Sequence, residues 1–573
     1  MLQTLTTPRG ETLSSTPWQV YPRPQMRRDS YINLNGEWDF AVSSEKPATF
    51  DMGITVPFCP ESRLSGIGRH FEEGAPLWYR RKFVLPEGFR RERVLLHIGA
   101  ADQTAEVFVN GQHLCRHEGG YASFSVDITE ALAEENELVI RCTDDLRDQA
   151  FPYGKQVRNR GGMWYTPVSG IWQTVWLESV PEAYIEKLNI ENHGASVTIS
   201  TVPPLEGTVN VEQLGQFPLE NGRVTIAPEN PRFWCPDTPY LYRFTLETAQ
   251  DRVESYFAIR SLEIKKVGEY PRLCLNGKPW FFHGLLDQGY WPEGLLTAPA
   301  PESYADDILA MKRLGFNTLR KHIKVEPEEF YYQCDRLGMI VWQDMVNNGS
   351  YNYFRDTVLP TIGIQKWNDR RLHLDERSRN TFRQGAADAV NQLKNHPCIC
   401  YWTIFNEGWG QFDSDRVCGW FRTLDATRFI DTTSGWFRGK NTDVDSRHQY
   451  FGKLRLTGDG LRPLVLSEFG GKTWRVEGHI FNPDKTYGYG ACPTREALNE
   501  AVAALYRESI VPAVEKGLCA AIYTQVSDVE DEVNGLATYD RRVVKLDADT
   551  MLPISRALQD AMEKTVASFE KMG

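Results

Sequence analysis

Two glutamates stand directly behind apolar runs: Glu407 follows "YWTIFN" and Glu468 follows "LVLS". A strand that is buried along its length and ends on an ionisable group sets that group at the rim of a core, where acid–base chemistry is done. Two carboxyl groups facing each other across such a rim suit displacement at an acetal carbon. One attacks the anomeric carbon while the other protonates the leaving oxygen and then deprotonates water, which requires a separation of roughly 5 to 5.5 Å. Asn406, immediately before Glu407, brings an amide that can hydrogen-bond a sugar 2-hydroxyl. Tyr450 is placed to steady the attacking carboxylate.

The elements that must position these residues can be counted. "WFFHGLL" (280–286), "TLRKHI" (318–323), "MIVWQDM" (339–345), "CICYWTIFN" (398–406), "FIDTTSGW" (429–436), "DVDSRHQY" (443–450), "LVLSEFG" (464–470) and "LCAAIYTQ" (518–525) are eight apolar strand candidates. Amphipathic patterns such as "SYADDILAMKRLG" and "REALNEAVAALYRESIVPAVEKG" separate most of them, although none is evident between the fifth and sixth. Eight strands alternating with helices predict a closed (β/α)8 TIM barrel, whose active site lies at the C-terminal ends of the strands. An open doubly wound sheet is the rival, but no Gly-rich phosphate loop follows the first strand. Polar residues mark every expected strand end: Asp287 and Gln288, His322, Gln343 and Asp344, Asn406 and Glu407, Ser434 and Trp436, His448 and Tyr450, Glu468, and Gln525. On strands four and seven, Glu407 and Glu468 face each other across the barrel mouth.

Before residue 266 the pattern is all strand. Short alternating segments between about 30 and 180, including "NLNGEWDFAV", "TAEVFVNGQHL" and "IWQTVWLESV", predict an antiparallel sandwich. Asn110-Gly111 reads as a two-residue hairpin turn, because both residues tolerate positive φ. A second run of strands, "ASVTISTV" to "RVESYFAIR", has the length of one small sandwich. The chain is therefore divided into sandwiches over 1–180 and 181–265 and a barrel over 266–573. Trp38, Trp172 and Trp176 sit in sandwich strands and are read as core.

Composition narrows the function classes. The 573 residues carry 64 basic and 76 acidic side chains, a net charge of -12, which leaves no cationic field for nucleic acid or an anionic membrane. No apolar run is long enough to span a bilayer, and "MLQTLTTPRGETLSSTPWQV" lacks a charged stretch followed by an apolar one, so a cytoplasmic location is expected. Eleven cysteines without C-x-x-C pairing read as reduced core thiols. His283, His322, His396, His448 and His479 show no metal-ligand spacing, so no transition metal is expected, and weakly held Mg²⁺ or Na⁺ is left open. Nucleotide, flavin and pyridoxal motifs are absent, and assembly as a homo-oligomer is left open.

The motifs together resemble glycoside hydrolase family 2, which holds β-galactosidases, β-glucuronidases and β-mannosidases. "LNGEWDF", "WYRRKF", "VFVNG" and "GIWQTVWLE" are similar to that family's jelly-roll domain, and "FWCPDTPYLY" and "FAIRS" to its immunoglobulin-like domain. "NGKPWFFHG", "FNTLRKHIKVEPEEFYYQCDRLGMIVWQDM", "FNEGWG" and "LSEFGG" resemble its barrel. The resemblance implies a retaining exo-β-glycosidase, β-galactosidase-like, with Glu407 as acid/base and Glu468 as nucleophile. Glucuronidase, mannosidase or α-L-arabinopyranosidase specificity, transglycosylation, and a non-catalytic carbohydrate-binding barrel are the alternatives.

Departures from the family pattern bear on the sugar. "LLDQGYWPEG" replaces the Asn-Arg-His-Glu type segment of the galactosidases after the first barrel strand. The nearest approach to the glucuronidases' Asn-x-Lys motif is "NPDK", Asn482 to Lys485, at the wrong spacing, which counts against a glucuronide. "VWQDM" resembles the mannosidases, but "FNEGWG" does not follow. Substrate-binding roles are assigned to Asn406, Asp287, His322, Asp344, Trp436, His448, Tyr450, Trp474 and Gln525. The segments 346–367 and 471–494, rich in Gly, Asn and aromatics, are expected to line the site, with Trp474, His479 and Tyr489 as candidate walls.

Overall fold

The computed structural model describes residues 2–570 except 365–367, 453 and 455. The first sandwich pairs a four-stranded antiparallel sheet with a six-stranded one. In strand Gly36–Val42 the alternation buries Trp38 and Phe40 and exposes Glu37 and Asp39, so one face packs and the other meets water. Trp38, Phe40, Tyr79, Leu96, Val107 and Ile140 share its core. The turn at Asn110 (φ 51°) and Gly111 (φ 82°) has the expected left-handed pair of residues. The second sandwich sets a three-stranded sheet, beginning at Lys187, against a four-stranded sheet that ends at Phe257.

A hairpin not foreseen from the sequence, Leu262–Val267 with Tyr270–Leu275, follows. Its Leu273 and Leu275 join the barrel's core, and Arg272 Nη1 donates to the Leu518 carbonyl at 3.0 Å, so it closes the barrel at the N-terminal ends of the strands.

The barrel strands are β1 (Phe282–Asp287), β2 (Thr318–Lys321), β3 (Ile340–Asp344), β4 (Ile399–Asn406), β5 (Phe429–Ser434), β6 (Asp445–Gln449), β7 (Leu464–Phe469) and β8 (Leu518–Tyr523). All ladders between them are parallel, in the order β5-β4-β3-β2-β1-β8-β7-β6. Each lies within two residues of the expected strand. Among the described residues no helix joins β5 to β6, again as the sequence suggests. There Asp443 bridges to β5, its N donating to Ile430 O at 3.0 Å and its Oδ2 accepting from Ile430 N at 2.8 Å, and Ser434 Oγ lies 2.9 Å from His448 Nε2. Every residue of β3, β4, β5, β7 and β8 is buried, which is why these segments open on apolar runs instead of alternating.

The first sandwich is not a detached module. Its loop 151–166 lies across the C-terminal face of the barrel, where Tyr153 N donates to Asn347 O at 3.0 Å and Tyr153 Oη to Gly349 O at 2.7 Å. Farther along, Tyr165 Oη donates to Glu532 Oε2 at 2.5 Å, and Arg160 pairs with Asp531 at 2.9 Å. Between these anchors Gly154 adopts φ +64°, and a Cβ there would meet the Tyr121 hydroxyl at 2.9 Å and the Ile323 carbonyl at 3.0 Å. Gly154→Ala should cost about 1–3 kcal/mol through backbone strain and overpacking. The measurement is limited trypsin cleavage at Arg147, Arg158 and Arg160, expected to be faster in the variant; an unchanged cleavage rate would contradict the clamp.

Candidate active site

At the centre of the barrel mouth is Arg320, on β2, with no exposed surface. Its guanidinium donates from Nε to Asp344 Oδ1 at 2.9 Å, from Nη2 to Asn406 Oδ1 at 2.8 Å, and from Nη1 to Glu468 Oε1 and Ser467 O, both at 3.0 Å. One planar cation thus sets side chains from β3, β4 and β7 in a single register. The second oxygen of Asp344 takes His322 Nδ1 at 2.7 Å. Arg320 is absent from the residues singled out by sequence. Its signal was a charge inside the short strand "TLRK", since a side chain of that kind is buried only when paired.

Glu468 is buried on β7. Burial works against its ionisation, but the charges of His448, Arg320 and His322 and the Tyr450 hydroxyl outweigh that and hold its pKa at about 2. Glu407 follows β4 in a left-handed conformation (φ 52°), a strain of about 1–3 kcal/mol for a residue with a Cβ. Its amide donates to Ser434 O at 2.9 Å, and its side chain stays partly open to solvent. His448 Nδ1 lies 2.7 Å from Glu407 Oε1. Tyr450 Oη sits between the two acids, 3.1 Å from Glu407 Oε1 and in close contact with Glu468 Oε2. Burial first, and then the two carboxylates, push the Tyr450 phenol well above its ordinary pKa, so it remains a donor. One oxygen from each glutamate and one nitrogen of His448 all lie within 4.8 Å of one another.

The remaining candidates divide. Trp436 packs edge-on against His448, with centroids 5.7 Å apart, and Tyr489 stacks on Tyr450 at 4.4 Å. These residues belong to the cluster. Asp287 is held elsewhere, by Lys321 at 2.7 Å, within a second buried network in which Lys321 and Lys324 both pair with Glu326 at 2.9 Å. Gln525 is fully buried; its Nε2 donates to Asn534 Oδ1 at 2.9 Å, while Oε1 has no partner among the described residues. Trp474 packs partly buried against the main core, and His479 pairs with Asp540 at 2.7 Å. Of the segment 346–367, residues 365–367 lie outside the described residues. All eleven cysteines are free thiols, eight of them buried.

Sequence reasoning also missed the acids beyond β8. Asp528, Glu530, Asp531 and Glu532 are all buried. Asp528 is neutralised by Lys545 at 2.6 Å, Asp531 by Arg160, and Glu532 accepts from Tyr165 and from Asn534 at 2.9 Å. Nothing in "SDVEDEVNG" distinguishes it from a solvated acidic loop, because its partners come from distant segments.

Three family profiles match the chain in domain order. The profile described as the galactose-binding domain-like domain of glycosyl hydrolase 2 covers residues 70–162, that of glycosyl hydrolases family 2 covers 182–260, and that of the family 2 TIM barrel domain covers 266–454. This chain belongs to glycoside hydrolase family 2. Among its relatives, a β-galactosidase of Thermoanaerobacter pseudethanolicus is 24 % identical over 415 residues, covering 66 % of this chain and 52 % of that protein. A β-glucuronidase of Chlorocebus aethiops is 25 % identical over 560 residues, covering 79 % and 80 %. This chain thus spans about half the length of the first and most of the second. The solved structure of an uncultured Clostridium sp. β-glucuronidase shares the fold, with a TM-score of 0.71 at 18 % identity, covering 96 % of this chain and all of that one.

Within this family 2 chain, the two ends of the "NPDK" segment have separate settings. Asn482 Nδ2 donates to Asp531 Oδ1 at 2.8 Å, and Lys485 is exposed beside Gly161.

The depressed pKa of Glu468 has a consequence for stability. A carboxylate whose folded pKa lies below its ordinary 4.5 stabilises the fold in full above that pH and loses the contribution as pH falls toward about 2. Glu468→Gln removes that contribution. The difference in thermal midpoint between wild type and variant should therefore narrow from pH 6 to pH 3, as read by calorimetry. A constant difference would contradict the ionised, Arg320-bound state.

Proposed function

We propose that this protein is a retaining exo-β-glycosidase with Glu468 as nucleophile and Glu407 as acid/base, acting on a β-glucuronide. The observation that carries the mechanism is the pair itself: two carboxyl oxygens within 4.8 Å, one anchored on Arg320 and the other partly open, with the Tyr450 hydroxyl between them. That spacing leaves room for direct attack and none for an intervening water, the geometry of the double displacement.

In the first step a Glu468 oxygen forms a bond to the anomeric carbon as the bond to the aglycone oxygen breaks, and Glu407 gives its proton to that oxygen. In the second, water attacks the same carbon, Glu407 takes the proton, and Glu468 leaves as a carboxylate. Arg320 and Tyr450 stabilise the charge that returns to Glu468. Because a guanidinium donates and cannot accept, the contact with Arg320 identifies the inner atom of the Asn406 amide as Oδ1, leaving Nδ2 as the donor for a sugar 2-hydroxyl. His322 and Asp344 act through their position around Arg320.

The β-galactosidase-like reading of the sequence has less support than the glucuronide. Curated relatives from several animals and bacteria carry the name β-glucuronidase, as do solved structures matched along almost all of this chain. The Asn-x-Lys spacing that counted against a glucuronide concerns one segment of one barrel loop, and other parts of the rim bear cations.

The test is release of nitrophenol from β-D-glucuronide, β-D-galactoside, β-D-mannoside and α-L-arabinopyranoside by wild type and two variants. The glucuronide is expected to be turned over fastest. Glu468→Gln should lower kcat by about 10³-fold or more, and Glu407→Gln should retain part of the first step with nitrophenol as leaving group while losing about 10²–10⁴-fold on alkyl glycosides. Release from a neutral sugar alone would overturn the glucuronide. Unimpaired turnover by Glu468→Gln would overturn the mechanism.

A further inference from the structure

Lys155 lies in the loop of the first sandwich that crosses the barrel mouth, and the backbone around it is tightly fixed. On one side Gly154 N donates to Asn347 O at 3.4 Å, and a Cβ on Gly154 would lie 3.0 Å from the carbonyl of Ile323, the neighbour of His322. On the other, the Lys155 carbonyl accepts from Tyr165 N at 3.0 Å, and the Tyr165 hydroxyl reaches Glu532. Lys155 is thereby rooted between the end of β2 and the segment after β8, the two strands that flank β1. The opposite side of the mouth is filled by Trp436, His448, Tyr450 and Tyr489. A sugar whose anomeric carbon sits between Glu407 and Glu468 must direct its ring away from that aromatic side, toward β1.

The side chain of Lys155 is half-buried, and among the described residues it makes no hydrogen bond or ion pair. Four nearby cations differ in this respect: Arg160 is spent on Asp531, Lys321 and Lys324 on Glu326, and Arg320 on Asp344 and Glu468. Its charge is nevertheless felt at the site. After burial, Lys155 is the next cause lowering the pKa of His322, and it partly offsets the burial that raises that of Glu532. Both oxygens of Glu532 are already taken, by Tyr165 and Asn534. A half-buried ammonium at the wall of the cleft that makes no contact ion pair, with Glu532 acting on it only through space, is a receptor for an anion that arrives with the substrate.

We propose that Lys155 binds the carboxylate of a uronic-acid glycone, so that the first sandwich, and not a barrel loop, reads the charge of the sugar. The assignment rests on the glucuronide reading above. The experiment compares wild type, Lys155→Met and Lys155→Arg on nitrophenyl β-D-glucuronide and on the β-D-glucoside, its neutral counterpart, with inhibition by free D-glucuronate and D-glucose measured alongside. In Lys155→Met the ratio of kcat/KM for glucuronide to glucoside should fall about 10- to 100-fold, mainly through KM, and D-glucuronate should lose its advantage as an inhibitor. Lys155→Arg should recover most of the ratio. An equal thermal midpoint for the three proteins establishes that folding is intact. If wild type cleaves the glucuronide and Lys155→Met keeps the wild-type ratio, the role of Lys155 is wrong and the glucuronide reading stands. If wild type cleaves neutral glycosides and no uronide, both fall together.

Discussion

The buried guanidinium of Arg320 is the interaction on which the rest of the site depends. A lone cation with no exposed surface would be prohibitively costly, and its burial is compensated only because Asp344, Glu468, the Asn406 amide and the Ser467 carbonyl converge on it. The same convergence acts in reverse. Glu468 stays ionised in a dry pocket because Arg320 is there, and Asn406 presents a defined edge because one of its atoms is committed. Removing one partner of such a network typically costs about 3–5 kcal/mol, so these side chains are one unit and not four independent contributions.

Around that unit the two glutamates receive opposite treatment. Glu468 lies within a strand ladder, buried and surrounded by positive groups, and is set up as a carboxylate. Glu407 is thrown out of the strand by a left-handed residue, remains partly open, and touches His448 and Tyr450 instead of a guanidinium. Two carboxyl groups on one sheet acquire different chemistry from their environments alone, as a double displacement requires. Gly408 continues the bend; a Cβ there would lie 2.2 Å from the Phe437 ring, which leaves glycine as the residue that fits.

The barrel does not complete its own mouth. Loop 151–166 of the first sandwich lies on the segments after β3 and β8, and its Tyr165, Arg160 and Thr166 meet Glu532, Asp531 and Glu530. Those acids are buried by a partner more than 360 residues away in sequence. The sandwich is therefore part of the wall at the barrel mouth. The N-terminal segment ties the domains further: Thr7 N donates to Glu293 at 3.1 Å and Trp18 Nε1 to Ala298 O at 2.8 Å, both on the barrel.

The sequence by itself determined the eight barrel strands, the two sandwiches and the strand-end positions of both glutamates. Burial on both faces writes unbroken apolar runs, burial on one face writes alternation, and a carboxyl group at the end of an apolar run stands out against them. Only the tertiary structure decided which polar strand ends meet. Asp287 and Asp344 look equivalent in sequence, yet one is drawn to Lys321 and the other to Arg320, because successive residues of β2 point in opposite directions. Arg320 and the acids beyond β8 were unreadable for a related reason. Their roles are set by partners brought from other strands or another domain, and a charge in a sequence carries no mark of the partner that will bury it.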